Sequence, residues 1–144
     1  MIRRAINKRI LLLGLVLGTA ACGDSTSSGS VGGSYGAIIF ITTPTGGSAR
    51  NELQAGSSLT LNLSSNGTMS GHLHLAANGA TPVVDADMAG TWSVNGDVVT
   101  FTQAADTFVR NMAFTIQRIS GEVFVLVGDQ VFSGTRINLT LGHG

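Results

Sequence analysis

The chain has 144 residues, 43% of them hydrophobic and 11% charged, a formal net charge of +0 and a single cysteine. Four of its eight basic residues, Arg3, Arg4, Lys8 and Arg9, precede that cysteine, which leaves four arginines against eight acids and no lysine in the remainder. So acidic a body lacks the basic footprint that phosphate binding requires, which excludes nucleic acid as a partner and argues against attraction to anionic headgroups.

In chain order, the basic stretch ending at Arg9 runs into residues 10–17, apolar apart from Gly14, and then into the small residues 18–21. That succession reads as a secretory signal peptide. As a helix, residues 10–21 would reach only ~18 Å at ~1.5 Å per residue, short of the ~30 Å hydrocarbon core that a transmembrane span must cross. Thr19-Ala20-Ala21-Cys22 then resembles the lipobox of bacterial lipoproteins, with Thr19 where that family usually has Leu. The resemblance implies cleavage after Ala21 and a diacylglycerol, often with a third chain, on Cys22. The alternative is a plain signal peptide that leaves a free thiol at Cys22, which would be awkward in an oxidising compartment. One acyl chain binds membranes only marginally, so stable anchoring takes several. The chain therefore divides into a signal at 1–21, an anchor and Gly/Ser tether at 22–33, and one β-domain at 34–144. The tether composition gives an r.m.s. span of about 20 Å. The implied location is the bacterial cell envelope, on the periplasmic or surface side. In a two-membrane host, Gly23 in place of an acid after the cysteine implies the outer membrane.

From Ser34 onward the dominant signal is period two, which predicts an all-β domain. Leu59, Leu61 and Leu63 alternate with polar residues up to Asn66-Gly67, a dipeptide suited to a tight hairpin, and Leu73 and Leu75 answer on the next strand. A second hairpin is predicted at Asn95-Gly96, a third at Ser120-Gly121 and a fourth at Gly128-Asp129. The strands fall at 34–42, 59–64, 68–76, 89–94, 98–102, 111–118, 122–127 and 131–141. An antiparallel meander of about eight strands closes into an up-and-down barrel, which removes exposed edges. The alternative is a β-sandwich, whose crossovers could only run through the long loops at 43–57 and 77–86. An integral outer-membrane barrel is disfavoured because no aromatic girdles are visible and strands of six or seven residues fall short of the roughly 9–11 needed to cross.

The segment from Gly90 to Phe101, with Gly90-Thr91-Trp92 before the turn and Val98-Val99 after it, resembles a hairpin of small bacterial lipocalin-like lipoprotein domains. The resemblance implies a lipocalin-like barrel, and makes Arg136 the late basic residue that would pack over the Trp92 indole. It carries over no ligand contacts.

The function expected is non-enzymatic binding, first of a small apolar ligand inside the barrel, with Leu61, Leu73, Met88, Trp92, Phe101, Met112 and Phe114 facing inward. These same residues could instead fill a solid core. Residues 37–41 and 123–127 are apolar on both faces, so each needs cover from a loop or a partner. They support the second reading, an envelope structural or protein-interaction module. An outlying third reading is a metal-dependent hydrolase. His72 and His74 share one strand face about 6.5–7 Å apart, with His143, Asp85 or Asp87 as a third ligand. Because Leu73 and Leu75 claim the core face, the two histidines are predicted to face solvent. No cofactor is implied, and no Gly-x-Ser-x-Gly elbow is present.

Overall fold

The computed structural model describes residues 28–120 and 123–144. The signal, the Cys22 lipobox and the tether up to residue 27 lie outside the described residues, as do Gly121 and Glu122 of the third hairpin.

A four-residue helical turn, α1 (Ser28–Val31), leads into nine antiparallel strands. They are β1 (Gly33–Pro44), β2 (Arg50–Asn51), β3 (Ser58–Leu63), β4 (Thr68–Leu75), β5 (Val84–Asn95), β6 (Val98–Gln103), β7 (Ala113–Ser120), β8 (Val123–Phe132) and β9 (Thr135–His143). Strands β3 to β9 follow one another around the sheet, and β1 closes it by pairing with both β3 and β9. The result is a closed eight-strand up-and-down barrel, consistent with a lipocalin-like arrangement, with β2 added beside the end of β1. Closure eliminates the sandwich.

Side chains alternate as the sequence requires. On β3 the leucines Leu59, Leu61 and Leu63 are buried while the residues between them are exposed. Full burial of such a side chain stabilises by about 1.5–3 kcal/mol. The barrel is filled through its waist. Gly128 points inward where a Cβ would lie 2.5 Å from Met112 Cε and 2.8 Å from Phe114 Cε1, and a Cβ on Gly71 would meet Leu61 and Met88. These two glycines are the gaps into which neighbouring side chains fit.

Several predicted boundaries move. Gly128-Asp129 is no turn: both residues lie within β8, paired to Leu139 and Asn138. The chain reverses instead at Ser133-Gly134, with φ of 48° and 76°, the conformation of a type I′ hairpin. The strand predicted at 131–141 is therefore split between β8 and β9. The Asn95-Gly96 turn is centred one residue later, because Asn95 still pairs with Val98. β5 begins at Val84, so Asp85 belongs to a strand rather than to the predicted loop. β1 and β5 have 12 residues each, longer than predicted. The outer faces of β3 to β6 carry Thr60, Asn62, Ser70, His72, Asp87 and Thr100, which is not the apolar band of a lipid-facing wall.

The two ends of the barrel differ. At one end lie the start of β1, the close of β9, the short turns β3–β4 and β5–β6, the end of β7 and the start of β8. α1 seals this end: Val31 is fully buried, and the Tyr35 hydroxyl donates to its carbonyl at 2.6 Å. Burial pushes the Tyr35 phenol up to about 12. The opposite end collects the longer connections β1–β3, β4–β5 and β6–β7 together with the β8–β9 turn.

Candidate functional site

The loop-bearing end holds a cavity of about 450 Å³. Leu73 and Leu75 from β4, Val84 from β5, Phe132 from β8, Ile137 from β9 and Phe108 from the β6–β7 connection supply its apolar walls. Its volume falls within the ~300–1,000 Å³ typical of small-molecule sites.

One wall carries a buried carboxylate. Glu52 is only 4% exposed, and its position follows from β2: Arg50 and Asn51 pair with Thr42 and Ile41, and the Glu52 amide then donates to Phe40 O at 2.8 Å. Its Oε1 accepts from the Thr42 hydroxyl at 2.6 Å and its Oε2 from the Ser57 hydroxyl at 2.8 Å. Arg50 Nη1 stands 3.7 Å away, while Nη2 donates to Ala77 O at 3.1 Å. A buried charge survives only when paired and hydrogen-bonded, and both conditions are met here. The network also ties the β1–β3 connection to the end of β4, since Ala76 N donates to Ser57 Oγ.

Below the cavity, residues 104–112 fold inward instead of spanning the opening. Phe108, Val109 and Met112 are buried, and Phe108 lies edge-tilted on Phe40 with ring centroids 5.4 Å apart. The Phe108 carbonyl accepts from Gln130 Nε2 at 2.6 Å. Gln103 Nε2 donates to Thr107 Oγ1 at 2.6 Å, whereas the buried Gln103 Oε1 has no partner.

All seven residues predicted to face inward are buried. They do not gather around one ligand space. Only Leu73 reaches the mouth cavity. Leu61 and Met88 border a shallower depression of about 540 Å³ beside Gly71. Met112 and Phe114 fill the waist against Gly128, and Phe101 packs edge-on to Phe114 at 5.2 Å. Trp92 is anchored by its indole N–H, which donates to Ser64 O at 2.9 Å. Arg136 does not cover it, because Arg136 lies on the outer face with both Nε and Nη2 on Asp129. That pairing, joined by Asn138, holds the Asp129 carboxyl below the usual carboxylate range.

His72 and His74 do face outward, directly opposite Asp87 and Asp85 on β5. The pairs His72 Nδ1 to Asp87 Oδ1 at 2.8 Å and His74 Nδ1 to Asp85 Oδ1 at 2.6 Å are hydrogen bonds, and His72 Nε2 is a further 3.4 Å from Asp85. The Asp87 hydrogen bond, seconded by charge attraction and Asp85, raises the His72 pKa above its ordinary value, and His74 first lowers that of Asp85. His143 does not join them. It packs edge-on against Tyr35 at 5.2 Å at the sealed end. Among the described residues no group of three His, Cys, Asp or Glu side chains is placed to hold a metal ion.

The strands predicted to need cover on both faces resolve differently. A bulge between Ala37 and Ile39 turns both Ile38 and Ile39 outward, 55% and 49% exposed, while Phe40 returns to the core. On β8, Phe124 and Leu126 point inward, and Val125 is buried on the outer side between Gly142 and Gln117.

Glu52, Arg50 and Phe108 were not among the residues predicted from sequence. Phe108-Val109 was the visible sign, an apolar pair within a connection bracketed by Asp106 and Arg110. The burial of Glu52 depends on a two-residue strand that no periodicity could reveal. Comparison with known proteins finds no family model, no curated protein and no solved structure that matches this chain.

Proposed function

We propose that this protein is a non-enzymatic binding barrel held outside the cytoplasm by lipid on Cys22, and that it takes a small apolar or amphipathic ligand in the mouth cavity. The observation that carries the reading is the apolar cavity of about 450 Å³ at the loop-bearing end, with the Arg50–Glu52 pair in its wall. Apolar walls with a few convergent polar groups are the usual make-up of a small-molecule site. The waist is filled, so the ligand sits above Phe108 and not in the barrel centre. In a two-membrane host the anchor lies in the outer membrane.

The test is titration with the neutral fluorophore Nile red. Saturable one-to-one binding is expected for the wild type, with loss in Leu75→Trp, which fills the mouth. Unsaturable binding, or binding that Leu75→Trp leaves intact, would refute the reading.

A second reading, an envelope protein-interaction module, draws on Ile38 and Ile39, two large apolar side chains on one outward bulge. Cross-linking from this bulge to an envelope protein, lost in Ile38→Ser/Ile39→Ser with Nile red binding unchanged, would support it over the first.

A further inference from the structure

We propose that Phe108 sets the length of ligand the mouth accepts, and that the ligand is an unbranched, uncharged amphiphile of the long-chain alcohol class. The inference rests on the binding reading above and adds a specificity-determining residue to it.

Phe108 separates two spaces. It lines the cavity, and its ring also rests on Phe40, which is fully buried and does not line the cavity. An extended chain entering the mouth therefore ends on the Phe108 ring. Replacing that ring with a smaller side chain continues the cavity toward Phe40.

The stopper is carried by the least firmly paired part of the wall. β6 and β7 pair only over Val98–Thr100 and Ala113–Thr115, whereas β8 and β9 pair along nearly their whole length. Residues 104–112 fill the resulting gap, held by Gln130 on the Phe108 carbonyl and Gln103 on Thr107. Asn111 turns the chain at φ 60°, a left-handed conformation that asparagine tolerates. Gln103 is buried and its Oε1 has no partner among the described residues, an uncompensated acceptor of the kind native cores rarely keep. The floor of the cavity is thus a side chain on a connection and not part of the barrel wall, which lets one residue set its depth.

The charges near the mouth favour an uncharged head. Arg50 faces Glu52 at 3.7 Å and Arg110 faces Asp106 at 3.9 Å. A charged head would enter an apolar cavity whose fixed charges are already matched, and its desolvation would go unreturned. A hydroxyl needs only a hydrogen bond at the polar wall.

The experiment is calorimetric titration of the full chain with straight-chain primary alcohols from hexanol to dodecanol. Wild-type affinity is expected to rise about four-fold per added methylene and then level off where the chain meets Phe108. In Phe108→Ala the first alcohol beyond that plateau should bind about four-fold tighter than it does to the wild type. Phe108→Leu keeps an apolar side chain in the core and should also move the plateau to longer chains, so it carries the test if the alanine variant does not fold. A plateau at the same chain length in folded Phe108→Leu would overturn the role of Phe108 while leaving the binding site standing. Failure of the wild type to bind any of the alcohols, with Nile red still bound, would overturn the ligand class. Failure to bind either probe would overturn the binding reading as well.

Discussion

His72 and Asp87 show how much of a residue's environment follows from its own sequence position. The alternation of Leu73 and Leu75 is enough to turn the two histidines outward, but Asp87 stands 15 positions away and meets His72 only through the register of β4 with β5. Alternation sets the face; the register of adjacent strands sets the partner. The hydrogen bond raises the His72 pKa, so its contribution to stability is fully present below the unfolded value of about 6.5 and is lost as pH rises through the folded value. Asp85 is lowered, so its share is present above the unfolded value of about 3.9 and is lost as pH falls through the folded one. The His–Asp cluster therefore supports the fold most between those limits. Asp87→Asn is expected to bring the His72 midpoint down toward 6.5 in a histidine-resolved NMR titration; an unchanged midpoint would show that the bond is not formed. Trp92 offers a second residue-level test. Its burial was legible in the alternation of β5, but the bond from its indole to Ser64 was not, because it needs the β3–β4 turn folded beside it. Trp92→Phe should cost at least about 1 kcal/mol in urea unfolding, since the Ser64 carbonyl keeps only the Gly67 amide of its two donors and the core loses volume. A change within a few tenths would mean that water replaces the indole without penalty.

At the level of strands, period two was legible wherever one face is wet and the other dry, as in β3, β4 and β6. It failed in β8, where Gly128-Asp129 reads locally as a turn. The reason is three-dimensional: Met112 and Phe114 arrive from the neighbouring connection and strand, and a glycine in β8 is what admits them. A glycine that makes room and a glycine that turns the chain look alike in sequence, and only the side chains packed against it from the neighbouring strand tell them apart. The true reversal at Ser133-Gly134 carried a weaker signal because serine, unlike asparagine, seldom adopts φ > 0. Gly128→Ala is accordingly expected to destabilise by roughly 1–3 kcal/mol through overpacking. Combining it with Met112→Ala should cost less than the sum of the two single changes, because the clash and the vacated space coincide. Additive losses in a double-mutant cycle would place Met112 elsewhere. The outward bulge at Ile38 belongs to the same lesson. Five apolar residues in a row predicted a strand covered on both sides, whereas one inserted residue lets Ile38 and Ile39 share the outer face and Phe40 keep the core.

The whole molecule has a direction that no single strand reveals. α1, the start of β1 and the packed Tyr35, Phe124 and His143 rings lie at the sealed end, and the cavity lies at the other. The chain enters at the sealed end. On the proposal that Cys22 is lipidated, the attachment reaches the barrel from the side opposite its mouth, which favours a mouth turned away from the membrane. That geometry suits a protein that receives ligand from the aqueous side and does not extract it from the bilayer beneath. Two measurements on membrane-extracted protein test it. Intact mass should give a chain that begins at Cys22 and carries acyl groups; an unmodified thiol there would remove the anchor. In vesicles bearing headgroup spin labels, a fluorophore at Asn66 in the β3–β4 turn should be quenched more than one at Asn78 in the β4–β5 connection, because these positions lie at opposite ends of the barrel. Equal quenching would mean that the barrel lies on its side, and stronger quenching at Asn78 that the mouth faces the lipid. In the second case the apolar rim would be a membrane-facing entrance, and the ligand would come from the bilayer itself.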